Sequence, residues 1–512
     1  MRRWQSYYEI LFFPLLAIFV ASVLMGFSGL ILNGNFQTLV HLDNSLIIKT
    51  AEMLSYLCSF IIVNAPFLIL IKLLSRKYED SAPVFIGVIA YFIFHISTMF
   101  FASNKLPSAV YSSVLGIMVD ASKISLVGSG VRYPIITGIL AIFVVGFITR
   151  VIYKSSRKRS NYGYFAFINS NSWALLFTCV LTFIAGALTA FMWPFIINIL
   201  YYIFELIAND ITNPMNLFIY GIFDRIMAIT WTGSIIRNVF WFGEMGGSWI
   251  LNSVNYLGDV GVWTAQQANN IYNTGFGRLI TPYFILNIFA VPAILLATFT
   301  TFTDKLERKK YIIFLILAIA VSVITGSLLP VEVYLLIMTP LLYVFHLFYT
   351  GFLFAILTAL NVSIGYTFSG SVNAAAPGSV FDLLVHVRDS AFIIPLIKLI
   401  IVGIITFIIY YLVTKYYYRK GCMDILNTGS KIKYVNNFLL AIGGINNIKR
   451  IYSTPTKVII QVEDATLLNF NMMQQQGASK VVETRTTFDI SYGAISYLLV
   501  SEVNKLISLN LD

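Results

Sequence analysis

The chain has 512 residues, of which 58% are hydrophobic, 15% aromatic and only 11% charged. Soluble domains carry roughly 25% charged residues, so a purely soluble fold is excluded. The formal charge of +11 does not point to nucleic acid, because no basic run is interleaved with aromatic residues on a polar face.

Apolar runs of the length a bilayer demands, about 20 residues, recur near 9–32, 54–74, 84–101, 135–153, 174–205, 215–241, 281–302, 312–328, 332–361 and 391–413. The 332–361 run has the length for two passes, and about ten crossings are expected overall. The first run follows Arg2 and Arg3 but lacks a small-residue cleavage site at a suitable place, which predicts a retained helix. Basic clusters at Arg2-Arg3, Lys72/Arg76/Lys77, Lys154 to Arg159, Lys305 to Lys310 and Lys415/Arg419/Lys420 belong on the cytoplasmic side of a membrane. Both termini are then cytoplasmic, and the 206–214 loop, which has no Lys or Arg, faces outside.

Helix parity makes the 215–280 region cross an even number of times or enter and turn back. It contains Gly-Glu-Met-Gly-Gly and Asn-Ser-Val-Asn, too polar for a lipid-facing helix. Irregular backbone at membrane depth needs protein or a water-filled cavity around it. This region, with the segment around 325–332, is therefore the expected substrate path.

Membrane character ends near Tyr418, giving a membrane domain over 1–418, a linker over 419–432 and a small soluble α/β domain over 433–512. In that last domain the pattern predicts helices at 435–442, 465–476 and 494–508, and strands at 449–452, 457–462, 481–483 and 488–490. Cys58, Cys179 and Cys422 form neither a disulfide framework nor a metal signature. No metal and no cofactor is expected.

Two pairs of strings carry a family resemblance. Thr325-Gly-Ser-Leu-Leu-Pro-Val-Glu332 followed by Thr339-Pro-Leu-Leu-Tyr-Val-Phe-His346 resembles the signature of the enzyme IIC sugar permease of the bacterial phosphotransferase system (PTS), glucose/maltose/glucoside group. There the strings read G-I-T-E-P-I-E and P-V-L-Y-V-I-H. The 441–448 string Ala-Ile-Gly-Gly-Ile-Asn-Asn-Ile and the 476–482 string Gln-Gly-Ala-Ser-Lys-Val-Val resemble the enzyme IIB domain of the same group. The resemblance implies a fused IIC–IIB chain: a polytopic α-helical membrane protein with re-entrant segments, plus a IIB-type α/β domain. It also implies a homodimer in the bacterial cytoplasmic membrane, a hexose or disaccharide as substrate, and phosphate supplied by a separate IIA or IIB protein. The lipid bilayer is a partner and nucleic acid is not.

The family's chemical residues are matched unevenly. Thr454 stands at the phosphocysteine position of C-x-T-R-L-R, Lys457 replaces the first arginine and Ile459 the second. A threonine hydroxyl ionises far too weakly to replace a thiolate without a dedicated base. In the membrane domain Arg225 matches the sugar-site arginine, Gly233 and Ser234 stand where histidines belong, and Asn238 matches an asparagine once one residue is inserted. Leu329 replaces the family's sugar-binding glutamate, Glu332 matches the second glutamate, and His346 has a structural place in the pattern. Asp224 beside Arg225 either neutralises it or leaves it for a ligand. Glu332 is either a cavity ligand or an interfacial residue.

Two functions compete on these residues. One is a IICB sugar transporter that binds and translocates a hexose or disaccharide, and phosphorylates it where another protein supplies the phosphoryl acceptor. The other is a non-transporting sugar sensor or regulatory pseudo-permease. An ion channel or pump has no support, since no helix carries a ladder of acids or arginines.

Overall fold

A computed structural model describes residues 2–32, 37, 40–75, 81–102, 106–120, 131–157, 170–271, 275–366, 377–388, 390–421, 431–484 and 487–509. Arg76, Lys77, Lys158, Arg159, Asn373, Cys422 and most of the 419–432 linker lie outside the described residues.

The protein is a polytopic α-helical membrane protein. Among the described residues, seven helices are long and apolar enough to cross a bilayer: α2 (Ser45–Val63), α4 (Ala82–Phe101), α5 (Ile139–Ser156), α6 (Ser170–Ala208), α10 (Thr281–Phe299), α13 (Pro340–Ala359) and the Ser390–Arg419 stretch that contains α14 (Ile393–Tyr416). Shorter apolar stretches lie in α1 (Arg2–Leu32), α3 (Ala65–Ser75), α11 (Lys305–Thr325) and α12 (Leu329–Met338). Three runs that read as continuous in the sequence are broken. The 54–74 run breaks at Asn64, just before Pro66, and 215–241 breaks at 230–232 between α7 (Pro214–Ile229) and α8 (Gly233–Trp241). The 332–361 run is not two passes: it is the ten-residue α12, a break at Thr339, and the single span α13.

The chain forms two compact units, Ile10–Pro282 with Leu347–Ala376, and Met1–Glu9 with Tyr283–His346 and Pro377–Asp512. In the first unit, small residues let helices approach closely, as membrane packing favours. A Cβ on Gly186 of α6 would meet the Phe94 carbonyl oxygen of α4 at 2.6 Å, and the Ser97 hydroxyl donates to the Phe183 carbonyl at 2.7 Å. Helices α7 and α13 cross at Gly221 and Gly351, where a Cβ on Gly221 would lie 3.1 Å from the Gly351 Cα. After α8 the chain makes a β-hairpin, β1 (Ser248–Leu251) and β2 (Val254–Leu257). Its turn residues Asn252 and Ser253 both have left-handed φ, 50° and 64°, which a tight type I′ turn requires. Helix α9 (Asp259–Ala268) follows.

In the second unit α10 contains a π-turn at Leu286–Ala290, next to Pro292, which has no N–H for the regular ladder. The face of α14 bearing Ile394, Ile397, Ile401, Ile404, Ile408 and Leu412 is exposed, as a lipid-facing stripe should be. Its opposite face buries Leu399, Thr406 and Tyr410.

The same unit holds the C-terminal α/β domain. Helix α15 (Lys431–Ala441), strands β3 (Ile448–Ser453) and β4 (Lys457–Val462), helix α16 (Phe470–Gln475), strands β5 (Val481–Thr484) and β6 (Thr487–Ser491) and helix α17 (Ser496–Leu509) follow in order. The sheet is wholly antiparallel, in the order β3-β4-β6-β5. Phe438, Val458, Ile460, Ile490, Leu499 and Val503 form its core and are fully buried; each such side chain contributes roughly 1.5–3 kcal/mol. The expected 465–476 helix is interrupted. A 3₁₀ turn covers Ala465–Leu467, and Asn469 caps α16 by accepting from the Met472 N–H at 2.9 Å. Asp464 accepts from the hydroxyl and the N–H of Thr466, which holds its carboxyl below the usual range.

Candidate functional site

Helix α7 starts on Asn213, whose side chain accepts from the Met215 N–H at 2.9 Å, and Pro214 occupies the first turn, where a missing N–H costs nothing. It stops at Thr-Trp-Thr, and Trp231 is forced to φ 56°, a conformation rare for a bulky residue. Neighbouring chain compensates. The Trp231 indole donates to the Ile62 carbonyl at 3.1 Å, and the Ile139 N–H donates to the Thr230 carbonyl at 3.1 Å. Gly138, with φ 53°, makes that approach possible, since a Cβ there would sit 2.0 Å from the Thr230 oxygen. The break is thus held from outside the helix.

This interrupted helix organises four of the residues expected from the sequence. Arg225 is 2% exposed, and Asp224 beside it is fully buried. The Arg225 Nε and Nη2 both donate to Asp224 Oδ2, at 3.0 and 2.5 Å. Gly233 opens α8, with Ser234 next to it and Asn238 one turn further on; Ser234 and Asn238 are half-buried. Sequence reasoning misses Arg237, although it lies in the same motif. Its Nε is 3.9 Å from Asp224 Oδ1, and its guanidinium lies 4.8 Å from the centroid of Trp241. The Trp241 indole in turn donates to the Tyr220 hydroxyl at 3.1 Å. One carboxylate thus faces two guanidiniums inside apolar chain. The available signal for Arg237 is a second arginine in an apolar run, twelve residues after the first.

Sequence reasoning also misses Asp259, at the start of α9. It is fully buried and accepts from the backbone N–H groups of Gly277 and Leu279, at 2.9 and 3.1 Å. Its carboxylate therefore holds the 275–279 turn in shape, and a loop of glycines and an arginine gives no sequence warning of that task.

The second unit holds the other two residues. Gly326, in the left-handed region at φ 69°, ends α11 with its N–H on the Ser322 carbonyl at 3.0 Å, a glycine C-cap. The chain then enters α12 at Leu329 and Pro330. Leu329 is half-buried and brings no polar group. Glu332 is 1% exposed, and its Oε1 lies 3.2 Å from His346 Nε2. His346 Nδ1 lies 2.9 Å from the Tyr410 hydroxyl. Glu332, His346 and Tyr410 thus form a buried chain of hydrogen bonds across three helices. The sequence pairs Glu332 and His346 by motif, but Tyr410 is distant and carries no signal.

In the C-terminal domain, Thr454 lies in the β3–β4 turn and is 7% exposed. Its Oγ1 accepts from the Lys457 N–H at 3.1 Å, and its own N–H donates to the Lys457 carbonyl at 2.9 Å. The hydroxyl therefore closes a tight turn. The Lys457 ammonium is paired with Asp489 at 3.4 Å, and Ile459 is buried in β4. Among the described residues no group of three or more His, Cys, Asp or Glu side chains could hold a metal ion.

No family model matches the chain. Over 378 residues it is 26% identical to the PTS system glucoside-specific EIICBA component of Staphylococcus carnosus (strain TM300). The alignment covers 70% of this chain and 51% of that protein, so the chain spans about half the length of this curated relative.

Proposed function

We propose that this protein is a PTS-type sugar permease of the glucose/maltose/glucoside group that binds a hexose or disaccharide and carries it across the bilayer. Its own C-terminal domain does not relay phosphate. The carrying observation is the helix interrupted at Thr230–Thr232, with the buried Asp224–Arg225–Arg237 cluster on its two halves. Transporters commonly build substrate sites from such discontinuous helices, because broken ends present backbone donors at membrane depth. Guanidinium groups add fixed donors suited to sugar hydroxyls. The likeness to a glucoside-specific component supports the sugar class. Burial of Thr454 and the use of its hydroxyl in a turn support the absence of phosphate relay.

The test uses purified full-length protein in a thermal-shift panel of hexoses and glucosides, followed by counterflow of the best ligand in proteoliposomes. Binding with counterflow is expected. Binding without counterflow would make the protein a sensor instead, and no binding across the panel would remove the sugar assignment. The basic loops support an orientation with both termini in the cytoplasm. Labelling of a cysteine introduced within 421–432 from outside the cell would reverse that orientation.

A further inference from the structure

We propose that the C-terminal domain is a fixed part of its membrane unit, latched by the turn that precedes α11, so that the surface beside Thr454 is an internal interface. The latch is made by Ser453 and Arg450 on β3, about 150 residues away in sequence from their partners. Ser453 is fully buried. Its hydroxyl donates to the Thr301 carbonyl at 2.7 Å, its N–H donates to the Thr303 hydroxyl at 2.9 Å, and its carbonyl accepts from the Thr303 N–H at 3.3 Å. Arg450 pairs with Asp304. Every polar group of Ser453 is thus engaged by one four-residue corner.

Position in the sheet explains why this surface is available. β3 is an edge strand in the order β3-β4-β6-β5, and an edge exposes unpaired backbone groups that invite another segment. The occupant is built to hold still. Asp304 caps α11 by accepting from the Leu306 N–H at 2.8 Å on Oδ1, while Arg450 engages Oδ2. The Arg308 guanidinium donates to the Phe302 carbonyl at 2.7 Å. A single carboxylate thereby orders the helix start and holds the domain. A second contact lies nearby in the chain, where α17 packs against Tyr417–Gly421 and the Tyr418 hydroxyl is 3.2 Å from that of Tyr334 on α12.

A domain that exchanges phosphate with a soluble donor must present its acceptor, whereas here the residue next to the acceptor position is covered. The domain acts as a strut on the corner between α10 and α11, and it keeps any other soluble domain off Thr301–Asp304. This inference concerns geometry, so it stands or falls apart from whether sugar is carried.

The test is made on full-length protein with its native cysteines replaced and spin labels at Lys309→Cys and Lys480→Cys. A single narrow distance distribution is expected. Asp304→Asn with Ser453→Ala should broaden it while keeping the helix cap, because Asn caps as well as Asp. In the same variant, hydrogen exchange at the Thr303 and Ser453 amides should quicken about tenfold. A broad distribution in the parent protein, or one unchanged in the double variant, overturns the latch. Should the double variant misfold, a Thr303→Cys/Ser453→Cys pair decides, because these two backbones touch and lie within disulfide reach: complete cross-linking on mild oxidation in membranes supports the latch, and no cross-linking overturns it.

Discussion

The Arg225 region and the Thr454 region bury polar groups by opposite means. Around Arg225 one buried carboxylate faces two guanidiniums, inside a helix that is broken and propped open by neighbouring chain. Around Thr454 a neutral hydroxyl closes a turn, and the adjacent serine is used up in hydrogen bonds. Buried ion pairs can often be replaced by apolar residues of similar size with no loss of stability, so a buried charged cluster calls for a functional reason. A satisfied hydroxyl in a turn calls for none. The Arg225 region keeps charged groups that a ligand could use, while the Thr454 hydroxyl is spent on its own turn.

The largest effect should come from breaking the first region. Arg225→Ala leaves the Asp224 carboxylate buried with a partner removed, a change that typically costs about 3–5 kcal/mol. Denaturation of the detergent-solubilised variant should show that loss, and Arg225→Lys should recover part of it by keeping the charge. Sugar affinity separates the roles. If Arg225→Lys regains stability but not binding, the planar guanidinium contacts ligand, and if both return together Arg225 is only the counter-ion of Asp224.

A second test sharpens the contrast inside the membrane. His346→Ala removes the link between Glu332 and Tyr410 and should cost about 1–3 kcal/mol, the usual penalty for stranding buried polar groups. With a purely structural chain of bonds, sugar affinity stays as it was once the protein is folded. A weaker affinity that Glu332→Gln reproduces would bring Glu332 into the binding surface.

Much of this contrast is legible in the amino-acid sequence, though unevenly. The membrane class, the polar and irregular character of 215–280 and the succession of strands in the C-terminal domain all follow from hydropathy, polarity and period. The breaks are harder. Pro66 and Pro340 mark two of them, yet 332–361 still reads as two passes by length, because hydropathy cannot see that Thr339 interrupts the ladder. At Thr230–Thr232 the deciding contacts come from Ile62 and Gly138, far away in sequence. Arg225 and Arg237 both announce themselves as charges in an apolar run, but that they share the Asp224 carboxylate is visible only in the fold. The Arg450–Asp304 pair joins residues 146 apart, and no local pattern encodes it.

The smallest expected change tests the other side of the comparison. Thr454→Val removes the acceptor of the Lys457 N–H and should lower the stability of the C-terminal domain by about 1 kcal/mol, the net worth of one hydrogen bond. Thr454→Ser should leave it nearly unchanged, because the hydroxyl stays. Incubated with a phosphorylated IIA protein and the general phosphotransferase enzymes, the full-length protein should take up no phosphate, since a hydroxyl does not ionise in the range where a thiol near pH 8.5 does. Thr454→Cys supplies the thiol, yet it should still label poorly. Ser453 remains tied to Thr301 and Thr303, and Ile459 offers no cation for the phosphate. Stoichiometric labelling of Thr454→Cys would show that the acceptor surface opens to solution, while labelling of the unaltered protein would return it to the phosphorylating permeases.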